Sequence, residues 1–242
     1  MNRVELLEAG NLDENNLPKM RLHVTEGGED KQLDIDLLLF ATGRKPNVNN
    51  MGLEVAKVDF SERDGIYSNA KMCTSNSKIF TVGDCAAAAK NAEEAKTNPG
   101  PGPQFTHNSD VMARSVVRNA LFFGGANRTE FKLPWATYTE PEIAHVGAYP
   151  WQLEERNINF DTFTKPFSRC DRAICEGNKG FIKVHVVRGS DIILGATAAG
   201  GPAGELISLI TAGMTNNLGL QKIGQGVYPY PTYAEGIKHL AD

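Results

Sequence analysis

Residues 180–199 contain two apolar segments, GFIKVHVV and DIILGATAA, joined through the turn sequence Arg-Gly-Ser-Asp. Two such segments separated by a short polar turn predict an antiparallel β-hairpin. The preceding segments FKLPWATYT and NFDTFTKPF also have strand patterns. Leu206, Ile210 and Met214 then follow at helical spacing, which predicts a helix packed on the sheet. This part of the chain is therefore predicted to fold as an α+β unit with an antiparallel sheet.

The first half of the chain has a different pattern, in which short apolar segments alternate with turns and one helix. Strands are predicted at 20–25, 33–41 and 78–82, with the turn EGGEDK between the first two. The apolar run LLLFA that ends the second strand is typical of a strand buried on both faces. Residues 106–123 carry one apolar helical stripe, and Thr106 is a candidate N-cap for that helix. This pattern indicates α/β structure.

Charge and hydropathy exclude two classes of partner. The 25 Lys and Arg residues are balanced by 29 Asp and Glu residues, which leaves a net charge of -4 and no electrostatic basis for nucleic-acid binding. The run LLLFA is far shorter than the roughly 20 residues that span a bilayer, and the N-terminus lacks the layout of a signal peptide. These features are typical of a soluble protein of the cytoplasm or of an organellar stroma or matrix.

The four cysteines do not have the paired spacing of a zinc site, so no metal site is predicted. Cys170 and Cys175 have a spacing that could form a redox dithiol. The sequence around them, FSRCDRAICEGNKGFIKV, is typical of a loop that enters a strand. Unlinked thiols are therefore the preferred interpretation.

Two segments of the first half could contact a nucleotide. Asp84 follows Gly83 directly after the strand predicted at 78–82, where a carboxylate can accept hydrogen bonds from sugar hydroxyls, although such a pair is more often a simple turn. Thr106 and His107 begin a predicted helix, where free amides and the helix dipole favour an electron-rich oxygen. An ordinary capped helix fits these two residues equally well.

Other acidic and histidine side chains have structural interpretations. Glu140 and Glu142 flank Pro141, and two carboxylates in that position belong to a turn more often than to an acid and base pair. His145 and His185 lie inside strand patterns, without the spacing of metal ligands. Both are predicted to be hydrogen-bonded or surface histidines.

The segment VYPYPTYAEG at 227–236 holds Tyr230 between two prolines, which fix the backbone into a rigid loop. Thr232 and Glu235 have the spacing of a capping box for a last short helix that begins at Thr232. Alternatively, the loop directs the Tyr230 hydroxyl into a cleft with Glu235 as a nearby acceptor. The two interpretations are compatible.

Three segments together, ATGRKPN at 41–47, IFTVGDC at 79–85 and YTEPEIAHVG at 138–147, resemble the pyridine nucleotide-disulfide oxidoreductases. The segments QFTHNSDVMAR, DRAICEG, GPAGELI and YPYPTYAEGI are most similar to the mercuric reductase-like branch of that superfamily. The similarity runs in order over nearly all 242 residues.

The resemblance implies an α/β segment of FAD- and NAD(P)-binding domains followed by an α+β dimerisation domain. Residues 1–44 match the end of the NAD(P)H-binding domain, 45–122 the returning segment of the FAD-binding domain, and 123–242 the dimerisation domain. The implied assembly is a homodimer formed through residues 123–242. The implied cofactors are FAD and NAD(P)H, with the NAD(P)H site mostly outside this chain.

The resemblance also implies roles for single residues. Asp84 matches the acid that holds the ribityl chain of FAD, and Thr106 with His107 matches the helix start whose amides face the flavin C2 carbonyl. Tyr230 and Glu235 match the pair that crosses the dimer to the partner's flavin and redox thiols. The implied cofactor-binding residues are Gly43, Arg44, Gly83, Asp84, Thr106 and His107.

The residue at position 230 separates branches of the family. Glutathione reductases and dihydrolipoamide dehydrogenases have histidine where this chain has Tyr230. A phenol exchanges a proton less readily than imidazole at neutral pH, and suits orienting or hydrogen-bonding a thiolate-bound substrate. Tyr228 is a second change, because much of the mercuric reductase-like branch has histidine there. The chain ends GIKHLAD, without the vicinal cysteine pair of mercuric reductases.

The predicted function is an FAD-dependent NAD(P)H oxidoreductase that passes electrons through flavin and a redox dithiol to a small disulfide or metal-ion substrate. The sequence contains no GxGxxG motif and no redox Cys-x4-Cys following one, so the chain alone is predicted to be incomplete and inactive. One alternative is a non-catalytic dimerisation or FAD-binding fragment. Another is a glutathione reductase or dihydrolipoamide dehydrogenase relative.

Overall fold

The computed structural model describes residues 3–6, 20–35, 37–122 and 124–241, and it divides into two compact units, residues 1–45 and 46–242. No helix in these ranges is long and apolar enough to cross a membrane. The strands are β1 (Arg3–Leu6), β2 (Met20–Glu26), β3 (Glu29–Ile35), β4 (Phe60–Ser61), β5 (Gly65–Ile66), β6 (Trp135–Thr137), β7 (Ile143–Gly147), β8 (Phe160–Pro166), β9 (Phe181–Val187) and β10 (Ile193–Ala199). The helices are α1 (Thr106–Leu121), α2 (Pro150–Glu155), α3 (Asp171–Glu176), α4 (Ala203–Thr215), α5 (Leu220–Gly224) and α6 (Glu235–Ala241).

The first unit is a three-stranded antiparallel sheet in the order β1-β2-β3. Gly27 and Gly28 join β2 to β3 at φ values of 62° and 88°, which a two-residue hairpin turn requires. The strand predicted at 33–41 is confirmed only at its start, because β3 ends at Ile35 and residues 37–41 are irregular and mostly exposed. Among the described residues no strand lies beside this segment to complete its hydrogen bonds. Asp36 lies outside the described residues.

Residues 46–104 form a layer of loops with little regular structure. The strand predicted at 78–82 is wrong, because Phe80 forms only an isolated bridge with Cys73. The amide of Thr74 donates a hydrogen bond to the carbonyl of Ile79, and the amide of Thr81 donates to the carbonyl of Met72. These hydrogen bonds close a tight loop and do not continue into a strand ladder. An apolar run of this length cannot be assigned to a strand by pattern alone.

Helix α1 is confirmed, and it begins at Thr106 as predicted. Its N-cap is Phe105, not Thr106, and Phe105 supplies no side-chain hydrogen bond to the helix. On the predicted apolar stripe, Met112 is buried and Val116 packs against the same small cluster. Phe123, at the end of that stripe, lies outside the described residues.

The predicted antiparallel sheet is confirmed, and it has five strands in the order β6-β7-β10-β9-β8. The hairpin of β9 and β10 forms the centre, as its apolar composition predicts. Helix α4 packs on this sheet and buries Leu206, Ile207 and Ile210 to 2% exposure or less. The main core of the protein therefore lies between the sheet and α4, with α6 adding Ile237.

The C-terminal loop and α3 differ from the sequence prediction in detail. The last helix begins at Glu235 and not at Thr232. Asp171–Glu176, predicted as part of a loop, forms the short helix α3. Gly177 ends this helix in the left-handed conformation at φ 69°. These two elements lie in contact, and their contacts shape the candidate site.

Candidate functional site

The first candidate site lies where α1 begins. Helix α1 has 16 residues, and the amides of its first turn have no partner within the helix. Since Phe105 supplies no side-chain cap, these amides remain available to an oxygen atom from outside the helix. Thr106 and His107 are both exposed at this end. The helix dipole adds a partial positive charge there.

The turn at residues 83–85 lies against the first turns of α1. Gly83 has a φ of 73°, and a Cβ at this position would lie 2.8 Å from the Ser109 Oγ. Gln104 on the approach to α1 donates a hydrogen bond to the carbonyl of Asp84 at 3.3 Å. The turn that carries Gly83 and Asp84 thus lies beside the start of α1.

The side chain of His107 is occupied by structural contacts. Its Nε2 lies 2.8 Å from the carbonyl oxygen of Pro134, which can only accept, so this nitrogen carries the proton. The ring also stacks on Phe105 with centroids 5.2 Å apart. The Nε2 of His107 is therefore engaged within the protein, while its backbone amide stays available at the helix start.

Gly43 and Arg44 belong to the first compact unit, whereas the other proposed cofactor-binding residues belong to the second. Gly43 has a φ of 118°, a conformation that favours glycine, and a Cβ there would meet open space. Arg44 is exposed. Their role in cofactor binding stays a prediction.

The second candidate site is the C-terminal loop around Tyr230. The peptide bond between Tyr230 and Pro231 is cis. The ring of Tyr230 is 71% exposed, and its hydroxyl donates to the Oδ2 of Asp171 at 2.6 Å. The loop therefore exposes this phenol at the surface, where it is hydrogen-bonded to the first residue of α3.

The acceptor of the Tyr230 proton is Asp171, not Glu235 as the functional interpretation of the sequence predicted. Glu235 accepts from the backbone amide of Thr232 at 3.4 Å, which is one half of the predicted capping box. The Thr232 hydroxyl donates to the carbonyl of Pro229 at 2.8 Å. No local pattern could have found Asp171, which lies 59 residues before Tyr230.

The electrostatic surroundings keep the phenol protonated. The hydrogen bond to Asp171 and the negative charge of that carboxylate raise the pKa of Tyr230, with smaller contributions from Glu235 and Cys175. Tyr228 has its pKa raised by burial, and its hydroxyl donates to the carbonyl of Ile223 at 2.9 Å. At neutral pH both side chains can therefore act in hydrogen bonding but not as proton carriers.

A cleft of about 890 Å³ lies beside this loop. Pro231, Thr232 and Tyr233 form one side, and α4 residues such as Glu205 and Leu209 form the other. Arg172 of α3 also borders the cleft. The loop that carries Tyr230 thus lines an open groove.

The two histidines of the sheet are structural, as predicted. The Nε2 of His145 donates to the Gly147 carbonyl at 3.0 Å, and its Nδ1 lies 2.9 Å from the Thr197 hydroxyl. The Nδ1 of His185 lies 2.9 Å from the hydroxyl of Thr162. Burial lowers the pKa of both histidines, so each is held as neutral imidazole.

The glutamates around Pro141 also have a structural place. The Oε1 of Glu142 accepts from the amide of Gly204 at 2.6 Å, in the first turn of α4. This contact makes Glu142 a helix cap from outside the helix. Glu140 is exposed beside the cleft.

The cysteines form no bonded pair and no metal site in the described part of the chain. All four are free, with Cys170 buried and Cys175 exposed. Among the described residues, no group of three His, Cys, Asp or Glu side chains could hold a metal ion. The interpretation of Cys170 and Cys175 as unlinked thiols stays a prediction.

Two family models match the sequence. Residues 7–110 match the pyridine nucleotide-disulphide oxidoreductase model, and residues 133–241 match the dimerisation domain of the same family. The second match covers the five-stranded sheet and α4.

Curated relatives carry two kinds of name. A dihydrolipoyl dehydrogenase from Thermus scotoductus is 32% identical over 91% of this chain and 45% of its own length. A mercuric reductase from Staphylococcus aureus is 28% identical over 94% of this chain and 39% of its own length. The chain therefore spans less than half the length of these relatives.

Solved structures show the same fold. LpdA from Mycobacterium tuberculosis matches with a TM-score of 0.78 at 20% identity, over 91% of this chain and 45% of that one. The HOCl-induced flavoprotein disulfide reductase RclA from Escherichia coli matches with a TM-score of 0.76 at 23% identity, over 92% of this chain and 48% of that one.

Proposed function

Because the chain belongs to the pyridine nucleotide-disulphide oxidoreductase family, we propose that it is part of an FAD-dependent NAD(P)H oxidoreductase. Electrons would pass from NAD(P)H through flavin and a redox dithiol to a small disulfide or metal-ion substrate. In this proposal residues 1–44 end the NAD(P)H-binding domain, 45–122 belong to the FAD-binding domain, and 123–242 form the dimerisation domain. The observation that carries the proposal is the uncapped start of α1 beside Asp84.

The residues at the start of α1 fit FAD. When bound, FAD accepts a hydride from the nicotinamide and passes electrons on. The amides of Thr106 and His107 would donate to the flavin C2 carbonyl and stabilise negative charge on the reduced ring. Asp84 would accept from the ribityl hydroxyls, since Gly83 lets the turn approach α1 closely. Gly43 and Arg44 complete the proposed cofactor-binding set.

In the same proposal, Tyr230 and Glu235 serve the active site of the opposite subunit. Support comes from the exposure of the Tyr230 ring, which leaves it free to contact a second copy. Glu235 would act by holding the loop, because its carboxylate binds the backbone of Thr232. The homodimer itself would form through residues 123–242, the region that matches the dimerisation model.

The 242-residue sequence contains neither a GxGxxG motif nor a redox Cys-x4-Cys after one. We propose that turnover needs both, so that this chain by itself does not complete the electron path. A second candidate function follows, in which the chain acts as a non-catalytic dimerisation or FAD-binding module.

The visible spectrum of the purified chain separates the two functions. A stoichiometric flavin peak, lost in D84A, supports FAD binding at the start of α1. The matched control is D161A, since Asp161 is a partly exposed aspartate paired with Arg188 on the sheet. A colourless dimer that stays colourless when FAD is added supports the non-catalytic module and overturns the FAD site.

Position 230 tests the catalytic part of the proposal. In an FAD-loaded enzyme that also contains the GxGxxG motif and the redox dithiol, Y230F should lower substrate turnover about tenfold or more, because the phenol oxygen is lost from the site where the substrate is reduced. Flavin reduction by NAD(P)H should not change, because Tyr230 acts after that step. The measurement is stopped-flow flavin reduction beside steady-state turnover.

Y138F is the control, because Tyr138 is another exposed tyrosine of the same unit. Unchanged turnover in Y230F would remove Tyr230 from the mechanism. A relative of the glutathione reductases or dihydrolipoamide dehydrogenases would be expected to carry histidine at this position, so Tyr230 favours the mercuric reductase-like branch.

A further inference from the structure

The C-terminal loop is joined to α3 at two points by two tyrosines. Tyr230 donates to Asp171 at 2.6 Å, and Tyr233 donates to Glu176 at 2.8 Å. Tyr233 is buried and stacks edge-on against Phe167, so its bond serves the fold. Tyr230 is exposed, so its bond is the one that a second molecule can approach.

The position of Asp171 is well determined by its surroundings. It is the first residue of α3, whose Ala173 is fully buried in the main core. The amide of Ile174 binds the carbonyl of Cys170, and Gly177 closes the helix. The carboxylate is therefore presented from a fixed backbone, although its side chain is exposed.

A phenol hydroxyl has one proton to donate and lone pairs that accept. In this structure the one proton of Tyr230 is directed to the Oδ2 of Asp171. Another group that approaches the phenol oxygen can therefore bind only to its lone pairs, by donating a hydrogen bond. A tyrosine without such a partner would instead be free to donate its proton outward.

We propose that Asp171 is a positioning residue that engages the proton of Tyr230, so that the phenol oxygen meets the opposite subunit as a hydrogen-bond acceptor. The group that binds the phenol oxygen must then be a hydrogen-bond donor, either a protonated thiol or an N–H group. A thiolate, which can only accept, is disfavoured. This inference rests on the proposed function of Tyr230 and reverses the donor role that a tyrosine at this position suggests.

The charges around Tyr230 agree with this assignment. Asp171 of α3, Glu235 of α6 and Cys175 of α3 all act to raise the pKa of the phenol. None of these three groups would stabilise a phenolate. The oxygen therefore keeps its proton, and Asp171 decides which way that proton points.

Titration of Tyr230 tests the hydrogen bond in the chain as it stands. The chain is labelled with ¹³Cζ-tyrosine, the Tyr230 signal is assigned with Y230F, and its pKa is followed by NMR. We expect D171N to shift the Tyr230 pKa downward and leave that of Tyr138 in place. D161N is the matched control and should shift neither signal. A Tyr230 pKa unchanged in D171N would overturn the pairing.

A double-mutant cycle tests the role in turnover. In an FAD-loaded enzyme that also contains the GxGxxG motif and the redox dithiol, D171A should lower turnover about tenfold, the effect of losing one positioned hydrogen bond. D171N, which keeps an oxygen acceptor, should retain more activity than D171A. In the Y230F background, both substitutions should have no further effect, because Asp171 acts only through the phenol.

If D171A lowers turnover equally in the parent enzyme and in the Y230F variant, the positioning role of Asp171 is overturned. It is also overturned if turnover is unchanged in D171A while Y230F is impaired. If no flavoenzyme forms, the proposed function fails, while the NMR titration still decides whether Asp171 holds the proton of Tyr230.

Discussion

At the scale of single residues, Gly65 makes one of the closest backbone approaches in the loop layer. Its φ is 102°, and a Cβ would lie 2.4 Å from the carbonyl oxygen of Cys85. We expect G65A to lower the free energy of unfolding by about 2–4 kcal/mol, from left-handed strain plus overpacking. Chemical denaturation measures the change.

Gly189 is the matched control, because its φ is 73° but nothing lies within 4 Å of an added Cβ. G189A should cost about 1 kcal/mol, which is the backbone strain alone. Equal losses in the two variants would show that the contact with Cys85 contributes nothing.

Some features of the candidate site around Tyr230 could be predicted from the sequence, and others could not. The rigid loop around Tyr230 could be predicted, because proline restricts the backbone locally. The partner of Tyr230 could not, because Asp171 becomes its neighbour only when α3 packs beside the loop. Glu235 had the spacing of a local motif and kept a local role.

At the scale of elements, α4 depends on a carboxylate from another part of the chain. Glu142 accepts from the amide of Gly204, and α4 has no side-chain cap of its own at Pro202. We expect E142A to lower the free energy of unfolding by about 1 kcal/mol, since it removes a cap and a favourable charge at the helix start. Thermal or chemical unfolding measures this loss.

E140A is the control, because Glu140 is the exposed glutamate on the other side of Pro141. Its stability should stay within about 0.5 kcal/mol of the parent chain. A loss in E140A that matches E142A would indicate a general effect of charge in this turn, not a specific cap.

Elements with two consistent signals could be predicted from the sequence. The β9 and β10 hairpin has both alternating apolar strands and a short turn, and α4 has a full helical stripe. The segments at 37–41 and 78–82 have only an apolar run, and the structure forms no strand there. Whether such a run becomes a strand depends on a neighbouring strand that its own sequence does not encode.

At the scale of the whole molecule, two buried histidines connect stability to pH. Desolvation lowers the pKa of His145 and of His185 below the ordinary value near 6.5. The unfolded chain then binds more protons than the folded one as the pH falls below about 6.5. Stability should be highest above that pH and should decrease as the pH falls toward the lowered pKa values.

Chemical denaturation at several pH values between about 8 and 5 measures this dependence. H185Q should reduce the loss of stability on acidification, whatever its effect at pH 8. H239Q should leave the dependence unchanged, because His239 is exposed on α6. A pH dependence identical in H185Q and the parent chain would contradict the assignment.

Arg128 gives the loop layer a different response to acid. Its guanidinium donates to the carbonyls of Ser68, Ala87 and Ala88, and so ties together segments that have little regular structure of their own. Desolvation lowers the pKa of Arg128, but a guanidinium keeps its charge at every physiological pH. Acidification should therefore weaken the sheet through its imidazoles, while the three hydrogen bonds of Arg128 keep their charged donor.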